Sequence, residues 1–262
     1  MRTNLFEYAF LFGSGLDIGR KRRSNQDKLI LCPEYGFFAV ADGMGGLANG
    51  HRTAEILTEV VPGFVISLYE EFREKRPEVE KIGKALKDRV RIISDHIFSS
   101  SNTEDNISFG STLSCVALAG KSAIFVNLGD SRGFLLPRDA PVLRQITEDH
   151  NLAGELVRAG ELTATEAKNH PASSHLTQFM GMPPPACPDC FIEAVSPGDS
   201  ILVCSDGLYG MVEDSVLTEL MRGPPDRLCQ SMVDAANEAG GRDNISVVYI
   251  KIGGPYEKDP RF

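Results

Sequence analysis

The stretch "FFAVADGMGG", residues 37–46, joins an apolar run to a carboxylate and a cluster of glycines. Five consecutive apolar residues are typical of a strand that is covered on both faces, and the glycines that follow indicate that it ends abruptly. The carboxylate between them is Asp42. Because an ionised carboxylate at the edge of a core is costly unless it is paired, hydrogen-bonded or bound to a metal, the stretch predicts a buried strand that ends in a polar site.

Four other aspartates lie at the boundary of an apolar, strand-like run. Asp130 and Asp206 follow such runs in "FVNLGDSRG" and "ILVCSDGLYG", while Asp27 and Asp243 precede them in "SNQDKLILC" and "GGRDNISVVYI". Each one alone could be an ordinary turn residue, since Asp is common in turns and before Gly. If the strands lie side by side, however, the carboxylates converge at one edge of a sheet.

Such a set of carboxylates has a definite chemistry. Carboxylates without His or Cys neighbours are hard oxygen ligands, which favour Mg²⁺, Mn²⁺ or Ca²⁺ over zinc or copper. None of the five histidines of the chain falls within these motifs. Two cations shared by several carboxylates suit the hydrolysis of phosphate esters, because they lower the pKa of a bound water and stabilise charge on the phosphoryl group. An arginine suits the task of orienting the phosphate.

Composition and charge are those of a globular protein. The chain has 262 residues, of which 42% are hydrophobic and 24% charged, and its formal net charge of -9 argues against a general nucleic-acid-binding protein. No apolar stretch reaches the roughly 20 residues that span a bilayer, and "LFEYAFLFG" near the start lacks the basic leader of a signal peptide. Cys187 and Cys190 form a CxxC without the second pair that a zinc site needs. We expect a reduced, cytoplasmic protein.

The order of the predicted elements indicates an α+β fold, because strands and helices come in groups and do not alternate strictly. Pro62 is expected to kink or interrupt the first helix, and Thr163 and Glu166 have the spacing of a capping box. The predicted elements are strands at about 5–12, 28–32 and 36–41, helices at 48–73 and 78–98, β-type segments between 111 and 146, a hairpin around Pro197-Gly198, helices at 213–222 and 226–239, and a final strand "NISVVYIKI".

Six motifs, taken in their order, resemble those of the metal-dependent serine/threonine protein phosphatases of the type 2C (PPM) family in its compact bacterial form. They are "RRSNQD", "VADGMGG", "GSTLSCVAL", "NLGDSRG", "LVCSDGL" and "GGRDNISVV", and the resemblance extends from about residue 12 to 252. It implies a four-layer α-β-β-α sandwich with two central antiparallel sheets. It also implies a single PPM-type phosphatase domain over residues 1–262, with a variable flap at about 148–182 beside the active site.

The resemblance further implies a set of metal ligands. Asp42 is expected to bridge two Mn²⁺ or Mg²⁺ ions, and the carbonyl of Gly43 to bind one of them. Asp206 and Asp243 are expected to bind the other ion. Asp130 is expected to help bind a third, weaker metal.

Other residues are expected to support these ligands. Arg22 matches the arginine that holds the substrate phosphate, Asp27 a residue that orders metal-bound water, and Asn244 a residue that supports the site by hydrogen bonding. The remaining cations of the "RKRR" segment are expected to form a solvated basic turn. Gly210 and Gln178 stand where relatives often carry Asp and Arg, and Gly210 is expected to weaken or rearrange metal binding at that edge.

The predicted function is the hydrolysis of phosphoserine and phosphothreonine in proteins by a hydroxide that bridges the two metals, without a phospho-enzyme. The expected partners are phosphorylated proteins, in opposition to a serine/threonine kinase, for a monomer that binds neither nucleic acid nor membrane. The alternative is a catalytically weak pseudophosphatase that acts as a phosphoprotein-binding regulatory module, but Asp42, Asp206 and Asp243 are all retained, which favours catalysis. A phosphatase with an aspartyl nucleophile would need a DxD motif, which the chain lacks.

Overall fold

The computed structural model describes residues 5–45, 51–75, 77–101, 109–168, 170–224 and 227–255. The strands of the first sheet are β1 (Leu5–Phe6), β3 (Asp27–Cys32), β4 (Phe37–Gly45), β5 (Phe109–Ser111), β6 (Leu113–Gly120), β7 (Ser122–Leu128) and β10 (Asp189–Ala194). Those of the second sheet are β2 (Tyr8–Asp17), β8 (Arg132–Leu136), β9 (Arg144–Gln145), β11 (Ser200–Cys204) and β12 (Ile245–Pro255). The α-helices are α1 (Arg52–Phe72), α2 (Val79–Ser101), α3 (Leu152–Arg158), α4 (Ala164–Ala167), α5 (Asp206–Tyr209), α6 (Asp214–Leu220) and α7 (Leu228–Glu238).

The two sheets pack face to face between layers of helices. The first has the strand order β10-β7-β6-β4-β3, with β5 beside β4, and the second has the order β2-β12-β11-β8-β9. Neighbouring strands are antiparallel, except that the two-residue β1 runs parallel to β6. One hydrophobic cluster joins α1 and α2 to the first sheet, a second joins α5, α6 and α7 to the second sheet, and a third lies between the sheets. The predicted four-layer sandwich is confirmed.

Strand β4 shows why its sequence is apolar without interruption. Phe37 and Ala39 face the helices on the outside of the sheet, whereas Phe38 and Val40 face the second sheet. All four are at most 2% exposed. Since alternate residues of a strand point to opposite faces, a central strand of a four-layer fold is buried on both sides, and each large side chain contributes roughly 1.5–3 kcal/mol.

Pro62 lies inside helix α1 without ending it. The helix runs without a break from Arg52 to Phe72, so Pro62 does not interrupt it. Proline removes one backbone hydrogen bond from a helix. Val61 and Val65 are buried against the first sheet on either side of Pro62, and this packing holds the helix together.

The predicted hairpin around Pro197-Gly198 is wrong. The chain does turn there, and Gly198 has the positive φ of 101° that favours glycine. The flanking strands nevertheless belong to different sheets, because β10 pairs with β7 and β11 pairs with β8 and β12. The turn carries the chain from one sheet to the other.

The two CxxC cysteines are free thiols. The backbone from Cys187 to Cys190 has no turn or bend. Three extended residues span about 10 Å, and two cysteines whose Cα atoms are more than about 7 Å apart cannot be bridged without a backbone movement. The pair therefore cannot form a disulfide in this conformation. In the same described ranges, no helix is both long and apolar enough to cross a bilayer.

Candidate active site

The five predicted aspartates meet at one end of the two sheets. Asp42 lies near the end of β4, and Asp27 begins β3 directly opposite it in the strand register. Asp206 begins α5 immediately after β11, Asp130 lies between β7 and β8, and Asp243 lies just before β12. All except Asp27 line a cleft of about 640 Å³, to which Gly43 and Arg22 also contribute.

The carboxylates of this cluster raise one another's pKa. Burial and the neighbouring aspartates raise the pKa of Asp42 and of Asp206 well above the usual range. Burial, together with Asp149, raises the pKa of Asp130 to about 6. When no cation is bound, the ionised aspartates therefore repel each other where little water is available to stabilise their charge.

Asp27 lies beneath the cleft and is only 1% exposed. Burial raises its pKa to about 6, and the hydroxyls of Ser205 and Ser246 act in the opposite direction. These hydroxyls do not reach regular hydrogen-bond geometry, so both carboxylate oxygens of Asp27, like Oδ1 of Asp206, lack a well-formed hydrogen bond. Buried acceptors of this kind are rare in folded proteins and call for a partner such as an ion or water.

The carboxylate oxygens that line the cleft suit hard divalent cations. They are spread around the cleft and are not gathered around a single point. In the part of the chain that the structure describes, no three His, Cys, Asp or Glu side chains are already arranged to hold one metal ion. Mg²⁺ usually keeps several of its waters and is bound through one or two carboxylates, so an open arrangement of oxygen ligands suits it. Carboxylate ligands without His or Cys do not favour zinc or copper.

The backbone around Asp42 is held in place by the neighbouring strands. The Asp42 N–H donates to Oγ1 of Thr112 at 3.0 Å, and its carbonyl accepts from the Thr112 N–H at 2.8 Å and from the Ser111 hydroxyl at 3.0 Å. The Gly43 N–H donates to the carbonyl of Gln26 at 3.2 Å. These contacts determine the direction in which β4 presents Asp42 and Gly43 to the cleft.

Arg22 lies at the rim of the cleft and contacts Asp243. Its Nη2 donates to Oδ2 of Asp243 at 2.5 Å, and the two side chains are 51% and 30% exposed. The other carboxylate oxygen of Asp243 accepts the Asn244 N–H at 2.8 Å. Hydrogen bonding to Asp243 is the main reason why the pKa of Arg22 is raised.

Asn244 fixes the loop that carries Arg22. Its Oδ1 accepts from the Gln26 N–H at 2.8 Å, while its Nδ2 donates to the carbonyls of Ile18 at 2.9 Å and Ser24 at 3.1 Å. The side chain is 4% exposed. These bonds join the loop at 18–26 to the loop before β12 across more than 200 residues of sequence.

Several residues that support Asp130 were missed by the sequence reasoning. Arg132 and Asp149 form a bidentate ion pair with distances of 2.8 and 2.7 Å, and the guanidinium lies 3.7 Å from the ring centre of Tyr209. The Tyr209 hydroxyl donates to the carbonyl of Asp130 at 2.8 Å, and Asn151 donates to its carboxylate at 3.3 Å. The motifs "GDSRG" and "TEDHN" contain three of these residues, but their spacing does not show that they meet.

The predicted flap segment covers one side of the cleft with short helices. The capping box is confirmed, since Thr163 and Glu166 exchange hydrogen bonds at the start of α4. Lys168, which lines the cleft, forms ion pairs with Glu213 at 3.0 Å and with Asp214 at 3.9 Å. The flap is thereby tied to the second sheet's helices.

Gly210 lies directly against the backbone of Asp206, which its position in the sequence does not reveal. A Cβ at Gly210 would lie only 2.7 Å from the carbonyl oxygen of Asp206, closer than real Cβ atoms come. An aspartate at this position would therefore require the backbone around Asp206 to shift. Gln178, the other departure, accepts a hydrogen bond from the Cys187 N–H at 2.9 Å.

A carboxylate cluster with an arginine at its rim is the arrangement expected of a metal-dependent phosphoester hydrolase. Comparison with known proteins names the family. The family model "Protein phosphatase 2C" matches residues 18–244, so the chain belongs to the protein phosphatase 2C family.

Individual relatives agree with this assignment. The serine/threonine phosphatase stp of Listeria monocytogenes is 32% identical over 241 residues, which are 90% of this chain and 93% of that protein. The crystal structure of the PPM Ser-Thr phosphatase MsPP from Mycobacterium smegmatis, in complex with cacodylate, has a TM-score of 0.73 and 32% identity, covering 93% of this chain and 98% of that one. The catalytic domain of the phosphatase PstP, crystallised with two manganese ions, has a TM-score of 0.72 and 28% identity over 93% and 98% of the two chains. The predicted family and class of enzyme are confirmed.

Proposed function

We propose that the chain is a Mn²⁺- or Mg²⁺-dependent phosphatase that removes phosphate from phosphoserine and phosphothreonine in proteins. The observation that carries this proposal is the convergence of four accessible aspartates and Arg22 on one cleft, with Asp27 beneath it. The substrate class is supported by the relatives, which are named serine/threonine phosphatases. We extend the proposal to a cytoplasmic monomer that opposes a serine/threonine kinase.

The metal ligands remain those predicted from the sequence. Asp42 and the Gly43 carbonyl would hold one ion, with Asp42 shared by a second ion that Asp206 and Asp243 would hold, and Asp130 would help bind a third, weaker one. When bound, the ions supply an activated water for direct attack on phosphorus and stabilise charge on the phosphoryl oxygens.

The chain's own residues bind the phosphate and hold the site in position. Arg22 presents a planar fork at the rim, and such a fork binds two phosphate oxygens at once. Its present partner, Asp243, holds the guanidinium beside the cleft, so the substrate meets an arginine that is already oriented. Asn244 and Thr112 act as positioning residues, because they hold the Arg22 loop and the Asp42 backbone in place.

The pseudophosphatase alternative has no support in the site. Degenerate phosphatases are expected to lose a ligand, whereas Asp42, Asp206 and Asp243 are present and line the same cleft. The backbone contacts that direct Asp42 into the cleft are also complete. We therefore favour the catalytic function over the pseudophosphatase.

Phosphate release tests the proposal. We would measure hydrolysis of p-nitrophenyl phosphate and of phosphoserine, phosphothreonine and phosphotyrosine peptides, with Mn²⁺ and with EDTA. Asp206→Asn should lose more activity than the about 10- to 100-fold that removal of a metal-supporting residue costs. Asp88→Asn, which removes an exposed carboxylate of α2, is the matched control and should be unaffected.

Two results would contradict the proposal. One is a folded, Mn²⁺-loaded wild-type protein that releases no phosphate from any of these substrates. The other is activity that persists unchanged in EDTA or in Asp206→Asn, since either would show that the carboxylate cluster does not act through bound metals.

A further inference from the structure

The rim of the cleft beside Arg22 carries an unusual concentration of positive charge. The segment "RKRR" places cations at four consecutive positions in a chain whose formal net charge is -9. Lys21 and Arg23 flank Arg22 directly, and all three side chains are exposed. A fifth cation, the exposed Arg242, precedes Asp243 in the loop before β12.

Hydrogen bonds hold the two loops together, so that these cations belong to one surface. The Arg20 N–H donates to the carbonyl of Gly241 at 2.7 Å, and the Gln26 N–H donates to Oδ1 of Asn244 at 2.8 Å. We call the surface formed by Arg20, Lys21, Arg23 and Arg242 the basic rim. It adjoins the wall of the cleft that Arg22 and Asp243 form.

Most of the basic rim has no internal partner. Among the described residues, no carboxylate lies within 4.0 Å of the charged groups of Lys21, Arg23 or Arg242, whereas Arg22 is paired with Asp243. Arg20 is near Asp17 and helps to lower the pKa of that carboxyl. Unpaired positive charges on neighbouring residues make the rim electrostatically complementary to a negatively charged ligand.

We propose that the basic rim binds acidic side chains of the substrate protein that lie within about three residues of its phosphorylated residue. This inference rests on the proposed function and names a substrate class for the same site. With the phosphate at Arg22, the neighbouring Lys21 and Arg23 begin about 3.8 Å away along the backbone. An extended peptide covers about 10 Å in three residues, which brings nearby Asp and Glu residues within reach of the rim.

The expected preference is moderate and sensitive to salt. An exposed ion pair changes an equilibrium by about two- to fivefold, so several weak pairs together give roughly a tenfold preference for an acidic peptide. The screening length falls from about 10 Å at 0.1 M salt to about 3 Å at 1 M. The preference should therefore shrink as salt is added.

Two phosphothreonine peptides test the inference. One carries Asp or Glu at the second and third positions on both sides of the phosphothreonine, and the other carries Asn or Gln there. We would compare their kcat/KM values for wild type and for the triple variant Lys21→Gln, Arg23→Gln, Arg242→Gln. The wild type should prefer the acidic peptide about tenfold through a lower KM, and the variant should lose this preference while hydrolysing p-nitrophenyl phosphate normally.

A second triple variant separates the basic rim from net charge. Lys75→Gln, Lys81→Gln and Lys84→Gln remove the same charge from exposed positions on or near α2, none of which lines the cleft. This variant should keep the preference. The inference is overturned if wild type treats both peptides alike, if the rim variant keeps the preference, or if both variants lose it equally. Failure of the proposed function looks different, because then neither the neutral peptide nor p-nitrophenyl phosphate is hydrolysed with Mn²⁺.

Discussion

Replacement of Asp27 by asparagine should stabilise the metal-free protein, even though it removes a residue of the site. Asp27 is 1% exposed, its carboxylate oxygens have no well-formed hydrogen bond, and burial raises its pKa from 3.8 to about 6. Between these two pH values the unfolded chain releases the proton while the folded protein keeps it. The free energy of unfolding therefore falls as pH rises through this window.

The size of the effect follows from the shift. About two pKa units at 1.36 kcal/mol each make an ionised Asp27 cost about 3 kcal/mol at pH 8. At pH 4.5 the cost is about 1 kcal/mol, because the folded group is still protonated and only the unfolded chain is ionised. Asp27→Asn should recover these amounts, and for a protein of this size about 3 kcal/mol corresponds to roughly 6–12 °C in Tm.

Urea unfolding in EDTA at pH 4.5 and pH 8 provides the assay. The variant should gain stability at both values but about three times more at pH 8, and the exposed Asp88→Asn should change little at either. With Mn²⁺ bound the gain should shrink, because a nearby cation favours the ionised carboxylate. A variant that is less stable than wild type at pH 8 in EDTA, or equally stabilised at both pH values, would refute the reasoning.

Two further predictions concern the surroundings of the aspartate cluster. Asp149→Asn leaves Arg132, whose side chain is only 13% exposed, without its bidentate partner and should lower the free energy of unfolding by about 3–5 kcal/mol in urea titrations. Glu193→Gln breaks a bidentate pair that is more exposed and should cost less than about 1 kcal/mol. Gly210→Asp should not strengthen Mn²⁺ binding, because its Cβ would press on the Asp206 carbonyl; tighter Mn²⁺ binding by calorimetry, with unchanged stability, would contradict this steric reading.

Much of the fold follows from local sequence patterns. The unbroken apolar run of β4 predicts a strand buried on both faces, and Phe37 and Phe38 do pack into different layers. Local patterns do not specify which strands pair, because a strand can bury the same apolar side chains whichever of the two sheets it joins. For this reason the local sequence predicts a hairpin at Gly198, whereas the turn connects the two sheets.

In the candidate site, too, some features follow from the sequence and others only from the tertiary structure. The sequence by itself determined that Asp206 follows the end of its strand, and the order of the motifs identified the family. The expected end of the strand at Asp42 was wrong, because β4 continues to Gly45 and pairs there with β5. Only the tertiary structure decided what surrounds the aspartates: the Arg22–Asp243 contact and the stacking of Arg132 on Tyr209 join residues far apart in the chain. Such contacts depend on how layers and loops pack against each other, which no local period or spacing encodes.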